Sequence, residues 1–364
     1  MQLKDLASFL DTAVPVSFQE GYDNSGLQVG DPMKTISSGL LSLDVTEQVL
    51  DEAIGSACDV IISHHPVIFN PLKQISGKNS VERVIMKAIR NDVAVYSAHT
   101  NLDIVENGVS RKLAGKIGLK NVKVLTPLKH RLLKLVTFIP ADHLDRVRDA
   151  VFAAGAGFIG AYDRCGFTVE GSGSFRAGEG SRPFAGEKGR THFEKEIRFE
   201  TILFSYMKRG VVKALLESHP YEEVAFDLYP LENENLNAGL GCVGNLPEPV
   251  DEKSFLTMLK ENLGSGSIRY SNLTGKKISK VALCGGSGGQ LTGDAIASGA
   301  DAFVTADLKY HSFFEAENRI LLVDAGHYET EKFSTELLYD LITKKFPKFA
   351  LRFSEINTNP INYF

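Results

Sequence analysis

Three features of this 364-residue chain predict an α/β fold interrupted by a second domain. Short apolar strand-like runs alternate with amphipathic helices near both ends. A different, twice-repeated rhythm occupies the stretch from about 126 to 248, and glycine-rich punctuation follows several strands. Parallel neighbours need a crossover connection, usually a helix, so the alternation predicts one composite, mostly parallel-sheet α/β domain built from 1–125 and 249–364. The length also exceeds what a single core usually organises, which makes two domains the expectation.

In chain order, Met1–Asp11 reads as an amphipathic helix and Gly39–Asp44 as a strand. Thr46–Ile54 is a helix with a threonine in the capping position. Val60, Ile61 and Ile62 form the continuous apolar run of a strand covered on both faces. A helix over Ser80–Arg90 and a strand over Val93–Ala98 complete the βαβ pattern. It resumes with strands at Lys280–Cys284, Ala302–Thr305 and Ile320–Asp324. A helix over Glu331–Lys345 follows, carrying Phe333, Leu337, Leu338, Leu341 and Ile342 on its apolar side.

Between these ends, Leu133–Ile139 reads as a strand, Asp142–Ala153 as a helix and Gly157–Tyr162 as a return strand. Phe199–Ser205, Lys208–Ser218 and Val224–Tyr229 repeat that order. Two βαβ units of similar length predict a ferredoxin-like α+β insert over 126–248. Its middle stretch, Gly171–Arg182, is rich in glycine without periodicity and reads as a mobile loop or hairpin.

Composition narrows the partners. With 40 basic against 45 acidic residues and a net charge of -5, the chain has no basic excess, and no basic stripe interleaved with aromatics stands out. Nucleic acid is therefore not expected as a direct partner. The amino terminus lacks a continuous apolar core and a run long enough for a bilayer, so no membrane partner and a cytoplasmic location are expected. Cys58, Cys165, Cys242 and Cys284 are far apart and form no Cys-x-x-Cys, so they read as buried small apolar residues.

The chemistry concentrates where strands end, which is where open α/β sheets place their sites. His64 and His65 follow the Val60–Ile62 run and precede Pro66, which holds His65 extended and should make the two side chains diverge. A bare His-His-Pro also fits a surface turn. His99 and Asp103 follow the Val93–Ala98 strand. His327 and Glu331 open the last helix, where i and i+4 share one face. An exposed acidic helix start fits that pair as well. Together His64, His65, Asp103, His327 and Glu331 supply nitrogen and carboxylate donors that suit zinc, manganese or ferrous iron better than calcium or magnesium. Two such divalent ions, roughly 3.5–4 Å apart, can activate one hydroxide between them. The run Cys284-Gly-Gly-Ser-Gly-Gly289 reads equally as a tight turn or as an anion cradle. His130, His143, His192 and His219, scattered in the insert, read as solvated or packed histidines.

Six segments together resemble one family: Tyr22–Gly30, Ser63–Phe69, Ala98–Asp103, Cys284–Gly288, Lys309–His311 and Asp324–Glu331. They are similar, in order, to the Nif-three-like proteins, labelled GTP cyclohydrolase 1 type 2 homologues. A departure is Ala306, where many members carry glycine before the aspartate. The resemblance implies a dinuclear centre with two divalent ions per chain, His65 and Asp103 on one ion, His64 and His327 on the other, and Glu331 contacting both. It also implies a PII/CutA-like insert and a toroidal homohexamer, a trimer of dimers. The activity implied is metal-dependent hydrolysis of a nucleotide: activated hydroxide attacks C8 of GTP, the ring opens and formate leaves. His99 or His311 would be the proton-transfer residue. The alternatives are hydrolysis of another phosphorylated small molecule, or a ring-shaped metal-binding regulatory or interaction protein without this catalysis.

Overall fold

The computed structural model describes every residue except His130 and the side chain of Leu236. Contacts divide the chain into two units, Met1–Pro127 with Asn237–Phe364, and Leu128–Leu236.

The first unit holds two sheets rather than one. In the five-stranded sheet the order is β1 (Gly26–Val29), β4 (Ala94–Ser97), β3 (Val60–Ser63), β2 (Ser38–Ser42) and β15 (Ala350–Phe353). The last four are parallel, and β1 caps the edge antiparallel to β4. Every residue of β3 and β4 is buried, which is why short apolar runs suffice to encode them. Val60 and Ile62 face Leu3, Leu6, Leu10, Leu338 and Ile342 of the first and last helices. Ile61 faces the opposite way, onto Val49, Leu50, Ile85 and Ala88. Those belong to helices Glu47–Gly55 and Ser80–Arg90, capped by Thr46 and Asn79, whose side chains accept from the Val49 and Glu82 amides at 3.2 and 2.9 Å.

The six-stranded sheet runs β11 (Arg269–Tyr270), β14 (Leu321–Asp324), β13 (Ala302–Ala306), β12 (Lys277–Ser287), β10 (Asn235–Asp251) and β5 (Lys120–Leu128). Its centre, β12 to β14, is parallel, while β11 and β10 are antiparallel to their neighbours. Phe255, Leu259 and Leu263 of helix Glu252–Leu263 cover one face together with Leu113 and Ile117.

The second unit is ferredoxin-like. Strands β6 (Leu132–Pro140), β7 (Gly166–Arg176), β8 (Thr191–Phe204) and β9 (Phe226–Leu231) lie in the order β7-β8-β6-β9, antiparallel throughout. Helices Leu144–Ala153 and Lys208–Ser218 put Val147, Val151, Val211 and Leu215 onto Leu135, Ile139, Phe199 and Leu203. One local expectation fails, while the glycine-rich stretch enters a hairpin as read. Gly157–Tyr162 holds only an isolated bridge between Ile159 and Tyr162, and the return strand is β7, which absorbs the first part of the glycine-rich stretch into a long hairpin with β8. As an edge strand exposed along most of its length, β7 needs no apolar alternation, which is why periodicity misses it.

All four cysteines are free. Cys58, Cys242 and Cys284 are buried, whereas Cys165 is half-buried. Among the described residues, no helix is long and apolar enough to cross a membrane.

Candidate metal centre

Three strand ends of the first unit deliver the site. His64 and His65 follow β3 directly, and Asp103 sits on the short helix Thr100–Ile104 after β4. His327 and Glu331 begin and end the helix His327–Glu331 that follows β14 of the other sheet. Gly326 at φ 96° makes the sharp entry into that helix, a conformation open to glycine. The five side chains form two triads that share Glu331: His64 with Asp103 and Glu331, and His65 with His327 and Glu331. Glu331 Oε2 lies 2.8 Å from both His65 Nε2 and His327 Nε2, and 3.7 Å from His64 Nε2.

One expectation is corrected by this geometry. The His64 and His65 side chains converge instead of diverging: their rings are 5.0 Å apart and both send Nε2 toward one carboxylate. The reason is where each ring is anchored, His64 on the β4 side through Ala98 and His65 on the β2 side through Asp44. The donor atoms group His64 with Asp103 and His65 with His327, where the resemblance implies the other pairing.

Each imidazole is oriented from behind. His64 Nδ1 donates to the Ala98 carbonyl at 2.8 Å, His65 Nδ1 pairs with Asp44 at 2.7 Å, and His327 Nδ1 pairs with Asp307 at 2.7 Å. Holding the proton on Nδ1 leaves Nε2 facing inward, the arrangement in which a histidine ligates a cation. Asp307 was missed in the sequence. The available signal was its position one residue past β13, but its partner is 20 residues away and no spacing links them.

The electrostatics are those of a strongly polarised, mostly buried cluster. Burial pulls the His65 imidazole down, and hydrogen bonds to Asp44 and Glu331 more than offset this, raising it to about 9. His327 is raised to about 11 by Asp307 and Glu331, again against burial. Burial would raise the Glu331 carboxyl, but the surrounding imidazoles hold it well below the usual carboxylate range. Asp103 moves the other way, raised chiefly by burial. His64 Nε2 and Asp103 Oδ1 are both buried without a hydrogen-bond partner, and they face each other at 3.6 Å. Buried polar atoms are nearly always paired, so two orphans at that separation, beside the Glu331 carboxylate, fit a cation coordinated between them. Imidazole and carboxylate donors of this kind suit zinc, manganese or ferrous iron.

His99 adjoins the cluster. Its ring centroid is 5.4 Å from that of His64 and 5.3 Å from that of His65, and its Nδ1 pairs with Asp23 at 2.7 Å. Asp23 also accepts from the Thr100 amide at 3.0 Å, and these bonds hold its carboxyl below the usual range against burial. His311 is not brought in. It is exposed on the 3-10 turn Tyr310–Ala316 with its ring against Tyr310 and Phe314, outside the histidine and carboxylate groups. In the insert, His219 bonds the Phe138 carbonyl at 3.0 Å, His192 pairs with Glu194 and His143 packs against Phe184. His130 lies outside the described residues.

The first part of the glycine run belongs to β12, where the pairing with β13 shifts register between Leu283 and Ser287. The Gly285, Gly286 and Gly288 amides already donate to Ser110, Thr330 and Thr305 hydroxyls at 3.3, 3.0 and 2.9 Å, so they form no anion cradle. What glycine provides is room. A Cβ on Gly286, at φ +60°, would lie 1.9 Å from Glu331 Oε1.

The chain is thus a two-sheet α/β unit, interrupted by a ferredoxin-like domain, whose strand ends gather histidines and carboxylates that could hold a metal ion. Comparison with known proteins gives the family. The family model described as Duf34/NIF3 (NGG1p interacting factor 3) matches residues 1–360, and the chain belongs to that family. It is 40% identical over 355 residues to a Halalkalibacterium halodurans protein named GTP cyclohydrolase 1 type 2 homolog, covering 96% of this chain and 95% of that one. A Bacillus subtilis protein of the same name is 38% identical over 359 residues, with coverage of 96% and 95%. Among solved structures, a Bacillus cereus protein related to NIF3 is 37% identical, with a TM-score of 0.85 over 100% of this chain and 99% of that one.

Proposed function

We propose that this protein is a divalent-metal-dependent hydrolase acting on a nucleotide, with opening of the GTP imidazole ring and loss of formate as the specific reaction. One observation carries the reading: two facing, buried, unpaired donor atoms, His64 Nε2 and Asp103 Oδ1, beside a carboxylate shared with a second triad. His64, Asp103 and Glu331 would hold one ion, and His65, His327 and Glu331 the other. When bound, such ions supply Lewis acidity and lower the pKa of water toward neutrality. The nucleotide class is supported by the relatives' name, GTP cyclohydrolase 1 type 2 homolog.

The chain's own groups then have distinct roles. Asp44, Asp307 and the Ala98 carbonyl fix the three ligating rings, and the buried Glu331 side chain keeps water from its shared oxygen. His99, beside His64 and His65, would move the proton. Asp23 retains the proton on Nδ1, so Nε2 is the atom that accepts a proton from the reacting centre and returns it to the leaving group. A toroidal homohexamer is the assembly proposed with this reading, to be checked by light scattering on the eluting protein.

The test is formate release. Protein loaded with zinc, manganese or ferrous iron should release formate from GTP, and His65→Ala should abolish release while retaining the oligomer. Absence of formate with all three metals, in protein shown to carry two ions per chain, overturns the cyclohydrolase reading.

A further inference from the structure

The ferredoxin-like unit carries a second candidate site, on the sheet face its helices leave open. Directly paired residues on neighbouring strands share a face. Phe138 and Val169 both pair with Arg198, and Gly171 pairs with Glu196, so these positions lie opposite the helix-facing Leu135, Ile139, Phe199 and Leu203. A cavity of about 580 Å³ lies over this face. Phe175, Phe184 and Tyr221 wall it. The Tyr221 ring centroid is 5.8 Å from Phe184 and 6.4 Å from Phe175, inclined at 45° and 57°, so the three rings form an angled enclosure and not a stack.

Carboxylates outnumber the one guanidinium among the charged groups of a lining otherwise made of small and apolar residues. Tyr221 donates its hydroxyl to Glu196 Oε1 at 2.8 Å. The other Glu196 oxygen occupies space that only glycine at 173 leaves free, since a Cβ there would stand 2.0 Å from it. Glu222 and Glu223 also line the cavity, Glu222 accepting from the Arg182 amide at 3.0 Å, and among the described residues neither they nor Glu196 has an ion-pair partner within 4.0 Å. Arg198, the one basic side chain in the lining, is committed to Glu200 at 2.7 Å.

We propose that this cavity binds a small organic cation, an alkylammonium carrying apolar substituents. Aromatic faces attract such a cation through their quadrupoles, the carboxylates neutralise it, and its alkyl groups suit the apolar walls. An anion meets uncompensated negative charge here. A bare metal ion lacks ligands, because among the described residues none of the candidate metal groups lies in this unit. An uncharged apolar molecule leaves the carboxylates unmatched.

The experiment is calorimetric titration of the full-length protein with choline, alongside 3,3-dimethylbutan-1-ol as its uncharged isostere. Expected are one choline per chain and at least about tenfold weaker binding of the isostere. Glu196→Gln preserves side-chain shape and the Tyr221 bond, and Phe184→Ala alters a side chain 52% exposed, so neither touches the core. Each should weaken choline about fivefold to tenfold with an unchanged melting temperature. Equal binding of the isostere, unaltered choline affinity in both folded variants, or no heat from choline at about 10 mM, well above the range that aromatic cages reach, would each overturn the proposal.

Discussion

Asp103→Asn separates a metal ligand from a structural carboxylate, because the two roles predict opposite effects in the metal-free protein. Asp103 is buried with Oδ1 unpaired, facing the equally unpaired His64 Nε2 at 3.6 Å. Each unsatisfied buried group costs about 1–3 kcal/mol. An asparagine amide in the same place donates to the Nε2 lone pair after a shift of about half an ångström toward normal hydrogen-bond length, which removes most of that cost. The metal-free variant should therefore be about 1–2 kcal/mol more stable, a melting increase of roughly 2–4 °C for a domain of this size. With metal the sign reverses. Losing an anionic ligand weakens binding at least tenfold to a hundredfold, by comparison with the changes that mere supporting residues produce. Through linkage that forfeits about 1.4–2.7 kcal/mol of metal-induced stabilisation. Thermal unfolding with chelator and with saturating zinc or manganese reads both quantities. A variant that melts lower than wild type in chelator, yet keeps the full metal-induced rise, would refute the reasoning and make Asp103 structural.

Glu331→Gln should reduce metal content from about two ions per chain to below one, measured by elemental analysis after gel filtration, because both triads lose their shared anion. Metal affinity should fall as pH drops from 8 to 6. His65 and His327, raised to about 9 and about 11, are protonated across that range, so loading expels about two protons and costs up to about a hundredfold per pH unit in a chelator competition. The metal-free protein shows the complementary trend. His65 contributes stability that is complete below pH 6.5 and is lost as pH rises through about 9, which denaturant titrations at pH 6 and 9.5 will show. Gly286→Ala drives a methyl to 1.9 Å from Glu331 Oε1 at φ +60°, so it should cost about 1–3 kcal/mol and lower metal content, whereas Gly293→Ala, with nothing within 4 Å, should do neither.

What the sequence disclosed, and what it hid, follows from how far each signal reaches along the chain. The β3 strand and the His64-His65 pair are legible together because burial on both faces demands an unbroken apolar run, and its abrupt end marks a sheet's carboxyl edge. His327 and Glu331 are legible because helical spacing alone puts them on one face, and their 2.8 Å contact is that spacing realised. Asp23 and Asp307 are not, since each supports a histidine 76 or 20 residues away and sequence distance carries no aim. The grouping of the donors was not legible for the same reason. Which triad His64 joins is set by Ala98 and Asp44 anchoring neighbouring rings from different strands, a three-dimensional fact with no local correlate. The division into two sheets was equally hidden, because β1, β11 and β15 are edge strands of two to four residues whose mixed sequences resemble loops. The ferredoxin-like unit showed the converse: its repeated order was legible, while its edge strand β7 was not.

The site is also a joint. His64, His65 and Asp103 hang from β3 and β4 of one sheet, and His327 and Glu331 from β14 of the other, so neither sheet alone completes either triad that contains Glu331. Each triad combines donors from both sheets, and Glu331 from the second sheet is the only residue common to them. Any free energy gained by a cation is therefore free energy of holding the two sheets together. In the metal-free state the same joint is closed by protons, because the charged His65 and His327 rings sit 2.8 Å from one Glu331 oxygen. Those bonds leave His64 and Asp103 without partners. Protons thus satisfy the triad nearer solvent, and only a cation satisfies the one where His64 has no exposed surface. The asymmetry makes the His64 triad the one whose filling changes the protein most, which is why the Asp103 substitution separates the two states.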